Sequence, residues 1–355
     1  MKGFKSDYML KKFTKLFRPN VRLSGRFTGC LLGQALGDAL GFVVEGYPPE
    51  VCASYVRREM REVFTGQDGR TGFSFGQYSD DTQLARELLQ SYAAVGYFDP
   101  ADYARRIAAI FQEKRIVGRG TATENAAMRL QANIHWMDSG EPPPSAGNGA
   151  AMRAGVIGLL FYDNWDHLVV AAHEQSFSTH QDPRCSAGSI VIALTVGWVV
   201  TKKLVVAELL AELSKQVRVY DPILAAALLN DMPRWLGQTP GQAYGQIAMV
   251  GLTEGYKDSW HGISPFVTPS VLWSLYAFLR TPDDYWASLS VAIAVGGDVD
   301  TTAAMTGAMS GAYQGLSALP ASVVKQVTDC GSWEFEQLCS LAESVCQQKQ
   351  ASMAV

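Results

Sequence analysis

The sequence predicts an all-α fold in one multi-helix domain. Three observations carry that expectation. Apolar residues recur at helical spacing in segment after segment. The connections between those segments are short and built from Gly, Pro, Asp and Asn. No stretch alternates apolar and polar residues as a half-buried strand does, and no repeat of fixed period occurs. With 355 residues, 48% of them hydrophobic, the chain has enough apolar material to bury a sizeable core.

Residues 1–24 read as a basic extension and residues 25–350 as the helical domain. Lys2, Lys5, Lys11, Lys12, Lys15, Arg18 and Arg22, with Arg26 just beyond, face the single acid Asp7. There is no long apolar run of a secretory signal here. The segment reads as a tail, or as a partner-binding arm with the amphipathic pattern Tyr8, Met9, Phe13, Leu16, Phe17. Next comes a helix over residues 27–45, in which Gly29, Gly33, Gly37 and Gly41 recur every four residues. That bare face suits close approach of another backbone, and packing must offset about 1 kcal/mol per glycine. Asp38 and Glu45 stand at its far end; singly, each has the look of an ordinary surface charge.

Residues 50–78, with Phe64, Gly66, Gly69, Gly72, Phe73, Phe75 and Gly76, read as a loop. Leu84, Leu88, Leu89, Tyr92 and Val95 then mark a helix. Asp99-Pro100 opens another, reaching residue 111. Gly118-Arg-Gly120 feeds a helix over 124–130. A polar, Pro-rich break over 138–149 ends in Gly147-Asn148-Gly149, before an apolar helix with Met152, Val156, Leu159 and Leu160. Helical patterns follow at 165–175, 187–200, 204–217, 221–230, 268–279, 284–295 and 303–313, with residues 231–263 looser and one or two helices over 321–346.

Net charge is −4, which argues against a general nucleic-acid or membrane-surface binder. The apolar run 187–200 falls short of a membrane span and reads as a core helix. Six cysteines without a CxxC pair read as reduced thiols of a cytoplasmic protein.

Two acidic turns stand out: Ser79-Asp80-Asp81-Thr82 and Gly296-Gly297-Asp298-Val299-Asp300-Thr301-Thr302. Each precedes a helical segment, and each alone makes sense as a helix cap. Together they offer more carboxylates and hydroxyls than capping needs. Rigid oxygen ligands of this kind suit Mg²⁺ or Mn²⁺, and so many carboxylates in one pocket need cations between them. The histidines (His135, His167, His173, His180, His261) have no zinc-site spacing, and there is no GxxxxGK[ST] loop.

With these pieces placed, the chain resembles the ADP-ribosylglycohydrolase family, the group of dinitrogenase reductase-activating glycohydrolase. The matching segments keep the family's order: Gly37-Asp38-Ala-Leu-Gly41 with Glu45, Ser79-Asp80-Asp81-Thr82, Gly118-Arg-Gly120-Thr121, Gly147-Asn148-Gly149-Ala-Ala-Met152-Arg153, Thr179-His180 and Gly296-Gly297-Asp298-Val-Asp300-Thr301. The resemblance implies an all-α fold with two Mg²⁺ or Mn²⁺ ions. It implies removal of ADP-ribose from modified protein side chains, with arginine as the expected acceptor. Metal ligands would be Ser79, Asp80, Asp81, Asp298, Asp300 and Thr301. Catalytic carboxylates would be Asp80, Asp81, Asp298 and Glu45, with Asp80 ranked first as base. Gly118, Gly120, Ser145, Gly147, Asn148, Gly149 and His180 would line the ADP-ribose. Ser79 and Val299 stand where the family commonly has Thr. Two alternatives remain: an immunity protein that neutralises an ADP-ribosyltransferase toxin, partly through the basic extension, and a hydrolase of another ADP-ribosyl linkage.

Overall fold

A computed structural model describes residues 20–58, 60, 69–252 and 259–353. Those residues fold as helices joined by turns, with isolated β-bridges and no strand among them. The first half contains α1 (Leu23–Phe42), α2 (Pro49–Arg58), α3 (Asp80–Val95), α4 (Pro100–Gln112), α5 (Thr121–Gln131), the short α6 (Trp136–Ser139), α7 (Gly155–Leu160), α8 (Trp165–Phe177) and α9 (Pro183–Thr201). Then come α10 (Val206–Val217), α11 (Pro222–Ala226), α12 (Met232–Leu236), α13 (Pro240–Ile247), α14 (Val267–Arg280), α15 (Tyr285–Ala294), α16 (Val299–Gln314), the short α17 (Ala321–Val324) and α18 (Phe335–Met353).

Short polar residues start many of these helices as their chemistry dictates. Asp99, Asn164, Asp182 and Asp284 each accept a backbone N–H of the first turn of α4, α8, α9 and α15. The fold is organised around the antiparallel pair α1 and α16. A Cβ on Gly29, Gly33, Gly37 or Gly41 would lie 2.3, 2.4, 2.2 or 2.4 Å from a backbone oxygen of α16, namely that of Gly311, Gly307, Ala303 or Val299. Only glycine permits this contact, which is how packing offsets the low helix propensity of the stripe. The pairing also puts the end of α1 beside the start of α16, so Asp38 and Glu45 arrive next to the second acidic turn.

Several expectations need correction. Arg26, just beyond the basic extension, belongs to the core: it is buried and donates to the carbonyls of Val199, Ala312 and Tyr313. Part of the segment read as a loop forms α2, and the looser region 231–263 contains α12 and α13. Each of α2 and α13 buries only two side chains (Cys52 and Tyr55; Ala243 and Ile247), so the periodic signal is thin. The apolar run at 187–200 is the body of α9, a helix long and apolar enough to cross a membrane but with 89% of that window buried in protein. Residues 1–19, Phe64 and Gly66 lie outside the described residues.

Candidate active site

The first acidic turn is braced by side chains. Ser79 caps α3: its hydroxyl accepts from Asp81 N at 3.3 Å and donates to Asp81 Oδ2 at 3.0 Å. Asp38, reaching from α1, accepts from Ser79 N at 2.9 Å, Thr82 N at 3.0 Å and Thr82 Oγ1 at 2.6 Å. Asp80 N donates to Val117 O at 2.7 Å. Gln83 ties down the same loop, accepting from Val117 N and donating to Arg115 O, each at 2.9 Å. Gly118 follows with φ +67°, and a Cβ there would sit 3.1 Å from Asp80 Oδ1.

The second turn is braced by backbone. Gly296 and Gly297 have φ +76° and +86°, and a Cβ on Gly297 would lie 2.2 Å from Ile263 O. Asp298 N donates to Ile263 O at 2.8 Å, and Gly297 N to Tyr47 O at 3.0 Å. Asn148 Nδ2 bridges Asp298 Oδ2 at 2.5 Å and Ser270 Oγ at 2.9 Å.

Folding brings the turns together. Thr301 Oγ1 donates to Asp81 Oδ2 at 3.3 Å across 220 residues of sequence. Two groups of carboxylate oxygens form, Asp38–Asp81–Asp300 and Glu45–Asp298–Asp300, each with its members within 4.8 Å of one another. Asp81 Oδ1 is buried without a hydrogen-bond partner among the described residues. An unpaired buried carboxylate oxygen is costly unless something cationic meets it. Burial pushes the Asp38 carboxyl up to about 7. Burial, then the neighbouring Asp38 and Glu45, pushes Asp80 up to about 8. Burial also lifts Asp298 to about 6 and holds Asp81 and Asp300 well above the usual carboxylate range. The cluster therefore resists full ionisation by itself and suits cations placed among hard oxygen donors.

A cavity of about 410 Å³ opens on this cluster. Its walls include Glu45, Asp80, Asp81, Asp298, Asp300 and Thr301 from the acidic side, and Gly118, Gly120, Gly147, Asn148, Gly149 and His180 opposite them. Ser79 lies within the acidic group, its hydroxyl 3.0 Å from Asp81 Oδ2, although it is buried and does not line the cavity. Ser145 does not line the cavity either; its carbonyl receives the Cys185 thiol at 3.7 Å. Val299 is fully buried in the core, so its departure from Thr removes nothing from the cavity wall.

The glycine loop is seated by a buried clamp. Arg153 donates to Gly149 O at 3.1 Å, Gln175 O at 2.9 Å and Thr179 Oγ1 at 2.6 Å. A Cβ on Gly149 would lie 2.9 Å from His180 Cε1, so the ring occupies the space a side chain would need. Burial and the nearby Arg153 push His180 down to about 3, which keeps the imidazole neutral, with Nδ1 bonded to Thr179 Oγ1 at 2.8 Å. The N-terminus of α5 has no side-chain cap, and Gly120 and Thr121 line the cavity there.

Sequence reasoning named Asp38 in a matching segment but gave it no role at the site. Trp260, which lines the cavity, it did not single out.

A model of the ADP-ribosylglycohydrolase family matches residues 19–354. The chain belongs to the ADP-ribosylglycohydrolase family. Among its relatives, ADP-ribosylhydrolase ARH3 of Homo sapiens is 30% identical over 270 residues, spanning 69% of this chain and 73% of that protein. The Mus musculus ARH3 is 30% identical over 307 residues, spanning 79% and 82%. ADP-ribosylarginine hydrolase Tri1 of Serratia proteamaculans is 22% identical over 277 residues, spanning 76% and 67%. A solved structure described as an ADP-ribosylglycohydrolase-related protein complex superposes with TM-score 0.68 at 25% identity, covering 92% of this chain and 99% of that one. The all-α ADP-ribosylglycohydrolase fold and an ADP-ribose hydrolase activity are thus those of the family.

Proposed function

We propose that this protein is a divalent-cation-dependent hydrolase that releases ADP-ribose from modified arginine side chains. The observation that carries the reading is the joining of two distant acidic turns at Asp81, whose Oδ1 is buried without a partner among the described residues, in a cavity also lined by glycine loops. Ser79, Asp80, Asp81, Asp298, Asp300 and Thr301 would hold two Mg²⁺ or Mn²⁺ ions, with Asp38 and Glu45 completing the two carboxylate groups. When bound, such ions supply Lewis-acid activation of water and of ribose hydroxyls.

The chain's own residues divide the remaining work. Asp80 is the proposed base, because its carboxylate lines the cavity beside the acidic group, where bound cations would keep it ionised and able to take a proton from water. The uncapped N-terminus of α5 presents backbone N–H groups for the diphosphate. Gly147-Asn148-Gly149, clamped by Arg153, leaves room for a ribose beside neutral His180. Trp260 and Pro265 supply an apolar wall for the adenine. Support for arginine comes from the name of the Tri1 relative; the ARH3 relatives' names specify no acceptor.

The test is ADP-ribose release from proteins carrying arginine-, serine- or other linked ADP-ribose, with Mg²⁺ or with chelator. The reading expects release from arginine that needs the cation and is lost in Asp298→Ala/Asp300→Ala. Equal release in chelator contradicts the cation requirement, and release only from other linkages contradicts the acceptor. A second reading, neutralisation of an ADP-ribosyltransferase, is motivated by the basic composition of residues 1–24. It expects a deletion of residues 1–22 to lose transferase binding while keeping hydrolysis.

A further inference from the structure

A guanidinium already sits against Glu45, which lines the cavity. Arg70 forms an ion pair with Glu45. Its guanidinium carbon lies 4.6 Å from the centroid of the Phe42 ring, and Phe73 braces that ring edge-on at 5.4 Å. Glu45 also presents a carboxylate oxygen within 4.8 Å of oxygens of Asp298 and Asp300. One carboxylate therefore belongs both to the acidic centre and to a guanidinium seat.

The chemistry of the seat is selective. A planar guanidinium offers paired N–H donors to a carboxylate and a flat face to an aromatic ring, and an ammonium does not match both. The occupant is loosely held: the Arg70 side chain is 41% exposed, and an ion pair of that exposure is easily exchanged for another.

We propose that Glu45 and Phe42 form the subsite for the leaving guanidinium of an ADP-ribosylated arginine, and that Arg70 fills it as an internal stand-in which the substrate displaces. The proposal rests on the arginine reading above and adds to it the residues that recognise the leaving group. Arg70 then sets specificity by competition: every arginine-linked substrate must displace it, whereas a substrate without a guanidinium gains nothing from doing so.

The test compares wild type with Arg70→Ala, both loaded with Mg²⁺. Calorimetric titration with L-arginine, and with L-lysine as control, reads the subsite directly. Steady-state kinetics on arginine-linked and serine-linked ADP-ribosyl protein read its use. Arg70→Ala is expected to bind L-arginine roughly three- to tenfold more tightly than wild type, with no gain for L-lysine. The KM for the arginine-linked substrate falls by a similar factor and that for the serine-linked one stays put. Unchanged L-arginine binding overturns the proposal while leaving the arginine reading intact. Equal KM shifts on both linkages also overturn it, because Arg70 would then only position Glu45. Wild type that cleaves serine-linked but not arginine-linked substrate overturns the arginine reading and the proposal with it. Arg70→Gln, which keeps the length without the charge, replaces Arg70→Ala should the latter melt early.

Discussion

The two acidic turns reach the same cavity by different physical means. The first turn is held by side chains: Asp38 takes three hydrogen bonds from it, and Ser79 caps it. The second is held by backbone, with Gly296 and Gly297 in left-handed conformations pressed against Pro49 and Ile263. A turn braced by side chains weakens one bond at a time. Backbone contact at Gly296 and Gly297 excludes a Cβ at those two positions. The pair teaches that equal-looking acidic motifs can differ sharply in which neighbours they depend on.

The largest expected effect comes from breaking the backbone brace. Gly297→Ala combines φ +86° with a Cβ 2.2 Å from Ile263 O. It should cost about 3–5 kcal/mol in denaturant unfolding, or leave no folded protein. Gly120→Ala, at an open position with φ −75°, should stay within about 0.5 kcal/mol of wild type. Equal behaviour of the two would refute the distinction.

Breaking the side-chain brace is milder for folding and harsher for the site. Asp38→Asn keeps the size but weakens the acceptor that organises Ser79 and Thr82, and removes one carboxylate from the Asp38–Asp81–Asp300 group. Hydrolysis and divalent-cation affinity should each fall about 10–100-fold. A kcat and cation affinity both within twofold of wild type would show that Asp38 only packs.

Much of this arrangement was legible beforehand. Both turns are read from their carboxylates at helix starts, and the glycine stripe of α1 announces a backbone partner. The identity of that partner, α16, is not written in either segment, because the contact spans most of the chain. Asp38 stood in a matching segment without a role for the same reason: its meaning lies in three hydrogen bonds to residues more than forty positions away. Short helices such as α2 and α13, with two buried side chains each, leave too little periodicity to read.

A smaller effect concerns pH in chelated protein. Asp38, Asp80 and Asp298 have folded values pushed up to about 7, 8 and 6 from 3.8. The folded state therefore holds protons the unfolded chain has released, so this contribution to stability is complete below pH 3.8 and is lost as pH rises through 6 to 8. The Tm of chelated protein should fall between pH 5 and pH 8, and Mg²⁺ should raise Tm more at pH 8 than at pH 5. A Tm that climbs over this range in chelator contradicts the crowding of carboxylates.

The most direct measurement is the stoichiometry of Mn²⁺ binding to wild type, Asp81→Asn and Asp300→Asn by titration calorimetry or electron paramagnetic resonance. If the two turns build one site, wild type binds Mn²⁺, and a change in either turn weakens the same bound ions, with the double variant little worse than the worse single one. Strictly additive, independent losses, or no Mn²⁺ binding by wild type at all, would contradict the account.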